Sequence, residues 1–174
     1  MSTHENSGID YDVDALLGQM SKELSAIIKD KKFDAPVMVG IHSAGVWVAE
    51  HLHQSLEITE PLGKLNINFY RDDFSRIGLH PQIEPSELPF SLENKDIILV
   101  DDVLFTGRTI RAAMNELFDY GRPASITLAV LIDRGNRELP VEANVVGFTR
   151  VTPIDSYYKL TNDDNKLELS IINK

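Results

Sequence analysis

Residues 98–113 read "ILVDDVLFTGRTIRAA". The run "KDIILV" (95–100) is continuously apolar after its first two residues, the pattern of a strand buried on both faces of a parallel sheet. Asp101 and Asp102 stand at its carboxyl end, followed by Val103, Leu104 and Phe105 and then by Thr106-Gly107-Arg108-Thr109. From Thr109 onward, Ile110, Ala113, Met114, Leu117 and Phe118 recur at helical spacing, with Gly121 at the C′ position. The first amides of such a helix lack intrahelical partners and favour an anion. Gly107 lets backbone approach that anion closely, and Thr106 and Thr109 add hydroxyl donors. Two carboxylates alone would repel a phosphate held there. They fit a ligand that presents hydroxyls, or a bound Mg²⁺, a short distance from its phosphate, as a ribose 5-phosphate does. An isolated Asp pair after a strand is often only a loop start and a helix cap. The strand before it and the Thr-Gly turn and helix behind it shift the reading to a ligand site.

The rest of the chain supplies the frame. Leu16, Leu17, Met20, Leu24, Ile27 and Ile28 predict a helix capped by Asp14 and ended by the charged stretch 29–32. "PVMVGI" (36–41) reads as a short buried strand, "HSAG" (42–45) as a turn, and Val46, Val48, Ala49, Leu52 and Leu56 as a second helix. "KLNINFY" (64–70) alternates like a half-exposed strand. Residues 71–93 hold three prolines and scattered charges, and read as an irregular loop and candidate lid. Strands are expected at 125–133, 143–148 and 166–172, the last an edge strand. This order implies an α/β fold with a mostly parallel sheet, in which ligands bind beyond the carboxyl ends of the strands.

The chain has 174 residues, 43% hydrophobic and 25% charged, which suits one domain over 14–174 behind a loose tail over 1–13. With no cysteine there is no disulfide and no thiolate metal site. No apolar stretch approaches a membrane span and the N-terminus is polar, so a cytoplasmic protein without membrane partners is expected. A net charge of −10 argues against general affinity for a phosphate backbone.

"IILVDDVLFTGRTIRAA" resembles the phosphoribosyl pyrophosphate (PRPP) signature of type I phosphoribosyltransferases. With "FYRDDFS" (69–75) and "GRPASITLAVLIDRGNRELP" (121–140), the chain is similar over roughly 14–172 to the PyrR family, uracil phosphoribosyltransferases that can also act as attenuation regulators of pyrimidine genes. The resemblance implies a type I phosphoribosyltransferase-like fold with a flexible loop and a small C-terminal hood. It implies conversion of uracil and PRPP to UMP and pyrophosphate with Mg²⁺, in a dimer or tetramer. On that resemblance Asp101 and Asp102 bind the ribose hydroxyls and help hold the metal. Thr106, Gly107, Arg108 and Thr109 hold the 5-phosphate, and Val103, Leu104 and Phe105 line the same turn. Tyr70, Arg71, Asp72 and Asp73 match the start of the flexible loop, with Arg71 neutralising the departing pyrophosphate. Ile132, Asp133 and Arg134 fall where the family recognises the pyrimidine, Ile132 covering one face of the base.

Two departures stand out. The pyrophosphate turn is His42-Ser43-Ala44-Gly45, where the family usually carries a basic residue, as in Lys-Thr-Arg-Gly. An mRNA leader hairpin is the further partner the resemblance implies. Against it, Asn136 replaces a histidine, and Glu142 and Phe148 stand where arginine and lysine are often found. Arg137 is then left to serve a dimer interface or the loop itself, and apolar residues near Phe118, Tyr120 and Phe148 suit an interface. The alternatives are a nucleotide-sensing RNA regulator with weak or no transferase activity, and a phospho-acceptor receiver domain. The second is disfavoured, because its acids come near the first strand.

Overall fold

The computed structural model describes residues 11–67 and 85–173. Five parallel strands form the central sheet: β1 (Val37–Ile41), β2 (Gly63–Leu65), β3 (Asp96–Leu104), β4 (Ser125–Asp133) and β5 (Val145–Thr149), in the order β2-β1-β3-β4-β5. Helices α1 (Val13–Asp30) and α2 (Ala44–Ser55) cover one face, and α3 (Arg108–Tyr120) covers the other. Both faces being covered, β1 is buried at every residue, as its unbroken apolar run anticipates. Ile98 and Val100 pack toward α1 and α2, while Ile97 and Leu99 pack toward α3.

The strand order reverses between β1 and β3. Connections leave this point toward opposite sides of the sheet, opening a crevice at the carboxyl ends of these two strands. The turn at 42–45 and the acidic pair at 101–102 are the segments that meet there.

Several expected boundaries move. α1 is capped by Asp12, whose side chain accepts from the Ala15 N–H at 3.0 Å, so Asp14 lies in the first turn rather than at the cap. β3 continues through the acids to Leu104 instead of stopping before them. Among the described residues of "KLNINFY" only Lys64 and Leu65 are in a strand; residues 68–70 lie outside the described residues. Gly121 follows α3 with an extended backbone (φ 168°), so it does not close the helix in the left-handed form. Of the candidate lid, residues 71–84 lie outside the described residues, while 85–93 are pinned to the body. Glu87 and Lys64 exchange both backbone hydrogen bonds, at 2.7 and 2.8 Å, and Leu88, Phe90 and Leu92 join the core beneath α3.

The C-terminal part is a hairpin, β6 (Ser156–Asp163) and β7 (Lys166–Asn173), so 166–172 pairs within its own two-stranded sheet rather than at an edge of the main one. Its two-residue loop, Asp164-Asn165, has positive φ at both positions (47° and 65°), as the tight hairpin turn requires. Tyr158, Leu160 and Leu167 seat the hairpin on the α1–α2 core. Tyr11 stacks on Phe148 at 4.7 Å and meets Tyr158 edge-on, and Arg150 donates to its hydroxyl at 2.9 Å. Burial, with Tyr11 beside it, pushes the Tyr158 phenol up to about 12. Phe148 is therefore engaged inside the chain rather than offered as an exposed interface residue.

Candidate active site

α2 begins directly after β1, and Gly45 decides how near it comes to β3. A Cβ on Gly45 would lie 2.9 Å from both Asp101 Oδ1 and the Val100 carbonyl oxygen. Only glycine permits that approach. It brings the 42–45 turn against the first acid of the pair. Ser43 caps α2 without a side-chain cap hydrogen bond, and no acid sits in that helix's first turn. The His42–Ser43 peptide is cis, and the His42 N–H donates to the Leu65 carbonyl at 2.9 Å.

Asp101 is 4% exposed and Asp102 is half-buried. The β3–β4 ladder runs from Asp96↔Ser125 to Asp101↔Val130 and resumes at Val103↔Ile132. Across this gap the side-chain alternation slips by one, because Val103 packs toward α1 and α2 and Leu104 toward α3. The Asp102 N–H donates to Asp101 Oδ1 at 2.9 Å. The acids thus sit at an irregularity inside the strand's last turn of pleat, where a carboxylate can be re-aimed.

Behind them the turn is closed by Thr106 Oγ1, which accepts from the Arg108 N–H at 3.2 Å. Gly107 caps α3 at φ +93°, a conformation that a side chain strains, and α3 has no side-chain cap. The first intrahelical bond runs from the Arg111 N–H to the Gly107 carbonyl, at 2.9 Å. The amides of Thr109 and Ile110 precede it and have no intrahelical acceptor. A helix end of this kind suits an anionic group. Arg108 is the first helical residue, and its exposed guanidinium pairs with Glu138 at 2.9 Å.

The segment after β4 crosses over this turn. The Glu138 and Leu139 N–H groups both donate to the Thr106 carbonyl, at 2.9 and 3.0 Å, and the Arg134 N–H donates to the Leu104 carbonyl at 3.0 Å. Asp133 accepts from the Gly135 N–H at 3.0 Å and from Arg137 at 2.7 Å. Burial pushes the Asp133 carboxyl up, but the Arg137 hydrogen bond, the Gly135 N–H and the Arg137 charge outweigh it and hold the group below its ordinary value. Arg134 is buried, stacked at 3.9 Å on the Phe105 ring, and donates to the Pro153 carbonyl at 3.1 Å.

The structure therefore gathers His42–Gly45, Asp101–Thr109 and Asp133–Arg134 at one end of the sheet. Leu104 and Ile132 are in the core, 1% and 0% exposed. Ile132 packs against the side chains of the α1–α2 core. Tyr70, Arg71, Asp72 and Asp73 lie outside the described residues. Sequence reading gave Glu138, Leu139 and Val141 no part in the site. Their carbonyl and amide contacts with the turn are long-range and carry no periodic signal; "RELP" beside an Asp-Arg strand end was the one cue available.

Among the described residues no cluster of three or more acidic, histidine or cysteine side chains could cage a metal. The donor set is two carboxylates. That fits Mg²⁺ only when substrate oxygens and water complete its six-fold oxygen shell, the usual arrangement for this ion with phosphate ligands.

Fold and site together define a phosphoribosyltransferase, and residues 12–160 match the family model described as "Phosphoribosyl transferase domain". Two hypoxanthine phosphoribosyltransferases share the fold. The protein from Trypanosoma cruzi gives a TM-score of 0.67 at 14% identity, over 92% of this chain and 91% of its own. The protein from Staphylococcus aureus gives 0.64 at 20% identity, over 90% and 86%. Sequence narrows the class. The chain is 52% identical over 165 residues to the bifunctional protein PyrR of Nitrosococcus oceani, covering 94% of this chain and 93% of that one. It is 54% identical over 145 residues to that of Pseudomonas paraeruginosa, covering 83% and 85%. The chain belongs to the PyrR family.

Proposed function

We propose that the chain transfers the phosphoribosyl group of PRPP to uracil, giving UMP and pyrophosphate. The observation that carries this reading is the contact of Gly45 with Asp101. It brings the opening of α2 against the acidic end of β3 at the sheet's switch point, and the opening of α3 follows five residues behind those acids.

The 5-phosphate is held by the amides of Thr109 and Ile110, with the Thr109 hydroxyl and the Arg108 guanidinium beside them. Asp102, and Asp101 beneath it, accept hydrogen bonds from the ribose hydroxyls. Pyrophosphate lies at the amides opening α2, with the Ser43 hydroxyl and His42 at its edge and Ala44 and Gly45 offering backbone. Asp101 and Asp102 would hold Mg²⁺, which would supply positive charge to offset that of the leaving pyrophosphate. Bond breaking at ribose C1 leaves oxocarbenium character that the acidic pair, fixed in place by β3, stabilises. A ring nitrogen of uracil supplies the new bond to C1 and gives up its proton, and pyrophosphate leaves with the old bonding pair. Arg71 supplies positive charge to the departing pyrophosphate. On the base side, Asp133 and Arg134 fix the backbone that reads the pyrimidine's amide-like edge, with Phe105 held flat by Arg134.

The relatives' name, bifunctional, supports a second, regulatory role on an mRNA leader hairpin. A homo-oligomer fits the exposure of Phe118 (57%) and Tyr120 (54%) at the end of α3. No described helix is long and apolar enough to cross a membrane, which accords with action in the cytoplasm.

The test is UMP formation from PRPP, uracil and Mg²⁺. The wild-type chain is expected to form UMP, and Asp101→Asn and Asp102→Asn are each expected to lose at least tenfold while remaining folded. Wild-type protein that is folded and forms no UMP removes the proposal.

A further inference from the structure

Arg137 has no part in the transfer chemistry proposed above, yet it makes three side-chain hydrogen bonds beside the site. Its Nε donates to the Val141 carbonyl at 2.8 Å, one terminal nitrogen to the Phe105 carbonyl at 2.8 Å, and the other to Asp133 Oδ2 at 2.7 Å. These three acceptors belong to three different segments: the return toward β5, the phosphate turn, and the end of β4. The guanidinium is 23% exposed and its Asp133 partner 15%. A planar fork can satisfy three acceptors at fixed angles, and a lysine cannot.

The contacts run in parallel with others. The Thr106 carbonyl takes the Glu138 and Leu139 amides, and Val141 and Leu139 pack against Gly107 so closely that an added Cβ would meet them at 3.2 and 3.4 Å. Phe105, Thr106 and Gly107 are therefore braced from outside over their whole length. With φ +93° at Gly107 and no side-chain cap on α3, the local support described within the turn is the 3.2 Å bond from the Arg108 N–H to Thr106 Oγ1. The external brace adds several bonds to it, and Arg137 is its hub.

We infer that Arg137 is a positioning residue for the phosphoribosyl 5-phosphate: it holds the 105–107 turn in the shape that aims the first amides of α3 at the phosphate. This rests on the transferase reading above. A consequence concerns RNA. Arg137 spends three of its five N–H donors inside the chain and pairs with Asp133, which weakens what it can offer a phosphate backbone.

The experiment uses full-length protein with Arg137→Lys and Arg137→Gln, and Ser125→Ala as a control. Ser125 bonds Asp96 at the opposite end of β3 and β4, 2.6 Å away, and reports a general loss of stability. Steady-state kinetics are read below the melting range of each variant. Both Arg137 variants are expected to raise the KM for PRPP and the Kd for UMP at least tenfold, with kcat reduced no more than about threefold and the lysine giving no rescue. Ser125→Ala is expected to leave KM and Kd unchanged. Arg137 variants with wild-type PRPP KM and UMP Kd overturn the inference while leaving the transferase reading intact. Wild-type protein that neither forms nor binds UMP removes both.

A second measurement needs no variant. Amide hydrogen exchange of the wild-type chain is compared with and without UMP. The inference expects the Glu138 and Leu139 amides to slow together with those of 106–110. Slowing confined to 106–110 contradicts it.

Discussion

Gly45 and Asp101 come as close as an absent side chain allows, and the proposed chemistry depends on that closeness. A methyl at Gly45 meets β3 backbone, which cannot swing aside as a flexible side chain can. Gly45→Ala is expected to cost about 1–3 kcal/mol of stability and more than tenfold in UMP formation. Denaturant unfolding and the transferase assay check it, and an unchanged variant contradicts the close approach. Asp133 gives a pH prediction. Its folded pKa is depressed, so the stability it contributes is fully present above the ordinary aspartate value of about 4 and is lost as pH falls through the lowered folded value. The urea midpoint of the wild type is expected to exceed that of Asp133→Asn at pH 6, with the gap closing toward pH 3. A gap that widens on acidification contradicts the assignment. Residues such as Asp101, Gly107 and Thr106 could be read from the sequence because they follow an apolar run at fixed offsets. The work of Arg137 could not, because its three acceptors lie 4, 32 and 4 residues away and no spacing rule links them.

At the scale of elements, the long apolar strands and the helices with strong apolar stripes were plain in the sequence. β4 falls on 125–133 as expected, because its apolar run is interrupted only by Thr127, a β-branched residue that suits a strand. β3 ran four residues past its expected end, since carboxylates look like a boundary and only pairing with β4 keeps them in the strand. β6 was missed although "SYYKLTND" alternates buried and exposed residues before an Asp-Asn turn. The sequence reading assigns the segment no element, and the pairing with β7 supplies the missing half of the signal. That turn can be tested. Asn165 holds φ 65°, which a β-branched residue resists by about 1–2 kcal/mol. Asn165→Val is expected to lower the melting temperature by several degrees and Asn165→Gly to leave it within a degree or two. Equal effects would mean that the hairpin does not rely on this turn.

For the whole molecule, the sheet order brings the 42–45 turn and the acidic end of β3 to one switch point, and charge shapes what else can bind. A net charge of −10 and the internal bonds of Arg137 both weaken attraction to an RNA backbone. Binding to a pyrimidine leader hairpin is expected to show a shallow salt dependence, equivalent to about three or fewer phosphate contacts. A plot of log affinity against log salt steeper than about −5 contradicts this. The central claim is geometric: exposed amides opening α3 grip a phosphate while the carboxylates of β3 take the sugar hydroxyls. A crystal structure of the chain with UMP tests it most directly. The account predicts the nucleotide's phosphate within hydrogen-bonding reach of the Thr109 and Ile110 amides and its ribose hydroxyls on Asp101 and Asp102. UMP bound with its phosphate away from 106–110 and its ribose away from both acids would contradict it.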